Sequence, residues 1–307
     1  MRHMVPAFIF RLRARKAMKP VMSILVMVVL IAMLPSLISS TITMITGADP
    51  TNAIAELYTQ ERMTAMMSGD LEATTIASDE IMAGLKVFFQ EKWPFMALTI
   101  AITFLITPVL TLGQNHTLLK ALRKEEFSVA AVFARMPIFF KAIGLQLMTT
   151  LRIFLWMLPG MALSLVATVL LLLAPSVGGL VFLAAMVLTF VLSIQAMYRY
   201  RMATFVMADA PETGINAAIR RSCDVMNGRK MELFSLEMSF IGWRLVVTML
   251  QMLFVGMLGS VVGMTLGLFA SFFVQMYLNM AEAAFYQEYA VSPTESAQQL
   301  QDELLGK

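Results

Sequence analysis

The sequence predicts an all-α polytopic membrane protein of about six transmembrane helices, with interfacial amphipathic helices and both termini cytoplasmic. Three observations carry that prediction. First, the chain is 59% hydrophobic and only 14% charged, whereas a soluble domain is about 45–50% apolar and about 25% charged. Second, the apolar runs approach the roughly 20 residues a helical crossing needs. They are not the short alternating segments of an outer-membrane barrel, and helices satisfy every backbone group within lipid. Third, Lys and Arg fall between alternate runs: six in residues 1–20, five in 114–141 and six in 198–232. Residues 40–93 hold three (Arg62, Lys86, Lys92) beside eight acids. Positive charge collects on the cytoplasmic side, so all three basic segments place the termini inside.

Residues 1–20, "MRHMVPAFIFRLRARKAMKP", read as a basic amphipathic N-terminal helix. Val5, Phe8, Ile9 and Leu12 share one face, with Arg11, Arg13, Arg15 and Lys16 around it. Such a segment suits the headgroup layer. A signal peptide with 21–38 as its core is the competing reading. That core is long, and no clear A-x-A site follows it.

The six-span domain covers 21–289. Span one is expected at about 21–39. An outer insertion at 40–93 carries helical stripes at Ile54, Leu57, Tyr58 and Met66 and at Ile81, Leu85 and Phe88, with Ser78 as a helix N-cap. These read as two short helices on the outer surface, and Trp93 fits an interfacial aromatic belt. Span two is expected at about 94–113. The apolar run 142–173 is too long for one crossing as a straight helix, which puts span three near 153–173. Pro159 and Gly160 are expected to kink it.

"APSVGG" is a tight outer turn before span four, about 178–197, which ends in the interface anchor "YRYR". Residues 211–228 read as an interfacial helix facing inward with Ile215, Ile219, Ser222 and Met226, and Gly228 follows as a C′ residue. The stretch 245–281 is too short for two crossings and a turn. Span five therefore starts before Arg244, near 236, and runs to about 255. The turn falls at 256–259, span six covers about 260–281, and a cytoplasmic tail occupies 290–307.

Three charged residues lie in or beside these runs: Arg152, Glu237 and Arg244. Charge within a membrane segment is a functional-site hypothesis by default. Two readings stand: a polar site open to the cytoplasm, or residues that pair and snorkel for structure. Gly259, Gly263, Gly267 and Ser271 repeat every four residues, a small-residue stripe for close helix packing within the chain or in a homodimer. Gln251, Gln275, Asn279 and Glu282 are read as inter-helix hydrogen bonders or as the lining of a solute path.

The basic residues Arg11, Arg13, Arg15, Lys16, Arg199, Arg201, Arg220 and Arg221 form an interfacial set. They suit anionic headgroups of the inner leaflet or an acidic protein partner. The same charge pattern serves topology alone, and no nucleic-acid partner is expected.

Catalytic signatures are lacking: the sequence contains no G-x-S-x-G, H-E-x-x-H, Walker A or dinucleotide glycine fingerprint. One cysteine, Cys223, excludes an intrachain disulfide. His3 and His116 lie far apart in sequence, and no metal or cofactor is expected. The 29 methionines are spread along the spans and suit flexible packing.

Residues 125–289 contain "RIFLWMLPGM", then "YRYRMATFVMADAPETGINAAIRRSCDVMNGRKMELFSLEMSFIGW", then "AEAAFYQEY". This order resembles the bacterial membrane family catalogued as domain of unknown function 975. The block Ser239, Phe240, Ile241, Gly242 and Trp243 is one of the segments that carry the resemblance. The chain departs from the family's pattern in its long 40–93 segment and in "QMLFVGMLGSVVGM" after the block. The resemblance implies a multi-pass protein of the bacterial plasma (inner) membrane and carries no established activity. The leading expectation is a non-enzymatic scaffold or accessory subunit that binds lipid or a membrane partner such as a transport or export complex. The alternative is a transporter of a small solute, peptide or lipid. The third is an intramembrane lipid-modifying enzyme.

Overall fold

The computed structural model describes residues 5–67 and 70–290. The expected tail and His3 lie outside the described residues. No strand occurs among the described residues. Five helical stretches there are long and apolar enough to cross a membrane: Ala7–Leu57, Glu72–Leu122, Val129–Leu171, Ser176–Asp209 and Lys230–Leu258.

The chain divides into two compact units. The first comprises Met1–Ile31 and Val109–Lys307, the second Ala32–Pro108. In the first unit, α1 (Ala7–Met18) leads through a 3₁₀ turn at Lys19–Val21 into α2 (Met22–Thr46), whose later turns belong to the second unit. The second unit then holds α3 (Pro50–Leu57), α4 (Gln60–Met67) and α5 (Leu71–Leu105). Asp49 caps α3 by accepting from the Thr51 amide, and Asp70 caps α5 by accepting from the Glu72 amide. Ser78 is not a cap: it lies inside α5, and its hydroxyl donates to the Thr75 carbonyl. Asp70 has taken that role, so one 35-residue helix replaces an outer helix followed by a separate span two.

Within the second unit, Arg62 ties α4 to its neighbours. Its Nε lies 3.0 Å from Glu80 of α5, and Nη1 donates to the Leu57 carbonyl of α3 at 3.0 Å. Ile81 of the second expected stripe is buried, with Leu85 and Phe88 half-buried. Ile54 and Tyr58 of the first stripe are exposed.

The first unit resumes in α6 (Thr107–Leu122), a 3₁₀ segment at Val129–Ile138, α7 (Phe139–Leu173) and α8 (Pro175–Tyr200). Then come α9 (Ala203–Asp209), α10 (Ile215–Val225), α11 (Lys230–Leu258) and α12 (Ser260–Ala290). Helix α7 has 35 residues, about 52 Å at 1.5 Å per residue, and continues through Pro159 and Gly160. Helices α7 and α8 form one hairpin, and α11 and α12 form another. The second hairpin turns at Gly259, whose φ of +86° lies where side chains with a Cβ are strained.

The dense core does not run down these hairpins. Only 11% of the apolar window is buried in the α7 and α8 stretches, and 6% in α11. The core gathers where α1, α6, α9, α10 and the last turns of α12 meet. Phe10, Leu118, Met207, Ile219, Phe285 and Tyr286 are each 0–1% exposed there.

Helix α1 differs from its expected orientation. It buries Phe10, Ala14 and Met18, spaced i, i+4, i+8, while Phe8 and Leu12 face outward at 57% and 49% exposure. The reason is α12, which offers an aromatic face. Phe10 lies 5.4 Å from the Phe285 ring and 6.1 Å from Tyr289, distances at which tilted aromatic pairs attract.

Candidate functional site

The polar residues of the first unit fall into separate sets, one around α9 and others along α8, α11 and α12. Helix α9 is seven residues long, and Ala203 and Phe205–Ala208 are all buried. Burying so short a helix leaves its last carbonyls without intrahelical partners, which must be supplied from elsewhere. Arg135 supplies them: Nε and Nη2 donate to the Ala208 carbonyl at 3.0 and 2.7 Å. The same Nη2 lies 2.9 Å from His116 Nδ1. Lys141 donates to the Pro211 and Glu212 carbonyls at 3.1 and 3.4 Å. Asp209, at the end of α9, accepts from Arg123 at 2.8 Å and from the Tyr286 hydroxyl at 3.3 Å. The Asp209 carboxylate raises the Arg123 pKa above its ordinary value.

A second set joins α8, α11 and α12. Tyr198 donates to Glu237 Oε2 at 2.5 Å. Arg201 places Nη2 2.8 Å from Glu282 Oε1 and Nε 4.0 Å from Glu237 Oε1. Both carboxylates therefore face one guanidinium. A third set fastens α1 and α11 to the C-terminal turns of α12: Arg13 pairs with Glu288, and Tyr289 donates to Glu232 of α11. Arg229 stands 4.1 Å over the Tyr289 ring.

The three charged residues singled out in the sequence have separate partners. Arg152 donates to Asn216 Oδ1 of α10 at 2.9 Å. Glu237 belongs to the Tyr198 and Arg201 set. Arg244 donates to Gln275 Oε1 of α12 at 3.2 Å, and Gln275 in turn donates to Asn279 at 2.7 Å. Arg244, Thr248, Ser271 and Gln275 line a cavity of about 240 Å³.

In the block from Ser239 to Trp243, Phe240 alone is fully buried. It meets Tyr277 edge-on at 5.0 Å. Ser239 donates to the Leu236 carbonyl at 2.6 Å, Ile241 and Trp243 face outward, and a Cβ at Gly242 would meet open space.

On the small-residue stripe, a Cβ at Gly263 would lie 2.3 Å from the Val255 nitrogen, and one at Gly267 2.5 Å from the Gln251 side chain. Both face α11, so these two glycines pack within the chain. Ser271 lines the Arg244 cavity. Gly160 lies against Thr189 of α8 in the same manner.

Of the basic set, Arg11 contributes its carbonyl, which accepts from Tyr277 at 2.9 Å. Arg199 lies 5.6 Å over the Trp156 ring, and its Nε is 3.4 Å from Cys223 Sγ. Arg221 donates to the Ala290 carbonyl at 3.2 Å. Arg15, Lys16 and Arg220 are exposed. Residues 211–228 narrow to α10, which buries Ile219 and Ser222 with Met226 at its C-cap, while Ile215 is half-buried. Among the described residues, no group of three His, Cys, Asp or Glu side chains is placed to hold a metal ion.

Sequence reasoning passed over α9 and its Asp209, the Arg135 and Lys141 contacts, and the pairing of Arg201 with Glu282. The signal for the last was present. "YRYR" and "AEAAFYQEY" carry complementary charges at the ends of two apolar runs.

No curated protein and no solved structure matches this chain. A family model described as a protein of unknown function, DUF975, matches residues 11–291. That match takes in the block, both polar sets around α9 and α12, and nearly all of the chain, which therefore belongs to this family of unknown function.

Proposed function

We propose that the chain is a non-enzymatic scaffold or accessory subunit of a bacterial inner membrane, holding lipid or a membrane partner such as a transport complex. One observation carries this reading. Asp209, Glu232, Glu237, Glu282 and Glu288 are each held by an arginine or a tyrosine of the same unit. Those acids are committed to fastening helices together. Arg15, Lys16, Lys19 and Arg220 are left exposed nearby, with the acids Glu212 and Asp224 exposed around α10. A basic outward surface on an internally paired core suits docking.

In this reading α12 is the sixth crossing. It has 31 residues, about 46 Å, and it follows directly on the Gly259 turn. Six crossings and the basic segments put both termini in the cytoplasm.

The cavity beside Arg244 favours a second reading, a transporter of a small polar solute, because an arginine, a threonine, a serine and a glutamine converge on it. Purified protein in liposomes distinguishes the two. Under the accessory reading it moves no solute alone, and photo-crosslinkers placed at Lys16 or Arg220 in native membrane capture one defined partner. Solute flux without a partner overturns the accessory reading in favour of the transporter.

A further inference from the structure

Helix α1 packs against α12: Phe10 meets Phe285, Arg13 meets Glu288, and Met18 and Met276 line one groove. At the corner between α1 and α2 the two strands of this packing separate. They leave a groove of about 380 Å³ whose lining includes Met22, Phe273, Met276 and Tyr277. Arg15 and Lys19 also line it. These two cations are one turn apart, so they project to the same side. Neither has a carboxylate partner among the described residues.

The wall below them is apolar, and Met22 and Phe273 are 41% and 47% exposed, so the groove opens sideways. The order along the groove is therefore two cations, then an apolar channel beginning where the first apolar helix begins. An anionic phospholipid has that order of chemistry, phosphate first and acyl chain after.

We propose that this groove binds one anionic phospholipid, with its phosphate between Arg15 and Lys19 and an acyl chain along Met22, Phe273 and Met276. Charge complementarity selects the occupant. A zwitterionic lipid brings a cationic headgroup beside the two cations, and an apolar peptide leaves them unmatched. The methionines suit a flexible chain, because their side chains adapt to irregular shapes. The inference deepens the accessory reading by naming its lipid. It rests on that reading only for placing the α1 end at the inner leaflet.

The experiment titrates the full-length protein in detergent with phosphatidylglycerol or with phosphatidylcholine of the same acyl chains, and counts retained lipid by native mass spectrometry. One phosphatidylglycerol is retained in preference to phosphatidylcholine. Arg15→Gln with Lys19→Gln weakens that retention about thirtyfold, from the per-residue attraction of a cation to anionic lipid. Met22→Trp fills the channel, leaves both cations in place, and weakens retention at least tenfold. Lys86→Gln with Lys124→Gln, both exposed and outside the groove lining, removes the same charge elsewhere and changes retention less than threefold.

Equal retention of the two lipids overturns the proposal. So does an equal loss in the Lys86 and Lys124 control, which would mean diffuse attraction to charge. Unchanged retention in Met22→Trp overturns it too, since the groove would then hold no chain. All four substituted cations and Met22 are exposed, so these variants test binding and not folding. Solute flux in liposomes, which would sink the accessory reading, leaves this measurement untouched.

Discussion

Arg201 reaches from the end of α8 to α12 and places Nη2 2.8 Å from Oε1 of Glu282, a carboxylate whose side chain is 4% exposed. The arginine itself is 43% exposed, so the carboxylate is the more deeply buried partner. Arg201→Ala therefore strands a buried charge, and the cost is about 3 kcal/mol of stability. Adding Glu282→Gln to that variant removes the stranded charge and restores at least half of the loss. Thermal unfolding of the purified protein in detergent measures both. An unchanged midpoint for Arg201→Ala would show that the Arg201–Glu282 pair does not hold α8 to α12.

Arg152, Glu237 and Arg244 give a second test, because each has its own partner. Double-mutant cycles separate residues that act together from residues that merely share a region. The cycle of Arg152→Gln with Glu237→Gln yields a coupling below about 0.5 kcal/mol. The cycle of Tyr198→Phe with Glu237→Gln yields about 1 kcal/mol or more, because a charge-assisted hydrogen bond is removed. Coupling of Arg152 to Glu237 at the size of the Tyr198 pair would restore the single polar site.

Much of this arrangement was legible before the structure. Counting residues calls for a helix that starts ahead of Arg244, and α11 begins at Lys230. The turn at 256–259 falls on Gly259, whose positive φ ends α11. Length and apolar run are local properties, so the sequence displays them. The inward face of α10 is legible for the same reason.

The face of α1 was not. Its two apolar stripes are similar in content, and the aromatic face of α12, more than 250 residues away, decides between them. Helix α9 was missed because seven residues, five of them buried, are too few to show a 3.6-residue period. The partners of Arg244 and Arg152 depend on which helices become neighbours, and no spacing within one helix reports that.

The glycines of α12 provide a third prediction. A Cβ at Gly263 meets backbone atoms of Val255 at 2.3 and 2.4 Å, and backbone cannot rotate away. A Cβ at Gly267 meets the Gln251 side chain, which can move. Gly256 faces open space. Gly263→Ala therefore costs about 1–3 kcal/mol by forcing α11 and α12 apart. Gly267→Ala costs less, and Gly256→Ala is neutral or slightly stabilising through helix propensity. Unfolding midpoints in detergent rank the three. Equal effects at Gly263 and Gly256 would show that the stripe does not set the α11–α12 approach.

Arg135 bears on why a buried seven-residue helix is tolerated at all. Its guanidinium donates twice to the Ala208 carbonyl, the last but one residue of α9. Arg135→Ala leaves that carbonyl without its donor in a site where Ala208 is 0% exposed. A charged donor lost from a buried acceptor costs about 2 kcal/mol. Arg135→Lys recovers only part of this, because an ammonium cannot present the guanidinium's two parallel donors. The loss is also local. Hydrogen exchange of the α9 amides accelerates in Arg135→Ala, while exchange in the α7–α8 hairpin is unchanged. Acceleration spread evenly over both regions would mean that Arg135 supports the whole unit and not the end of α9.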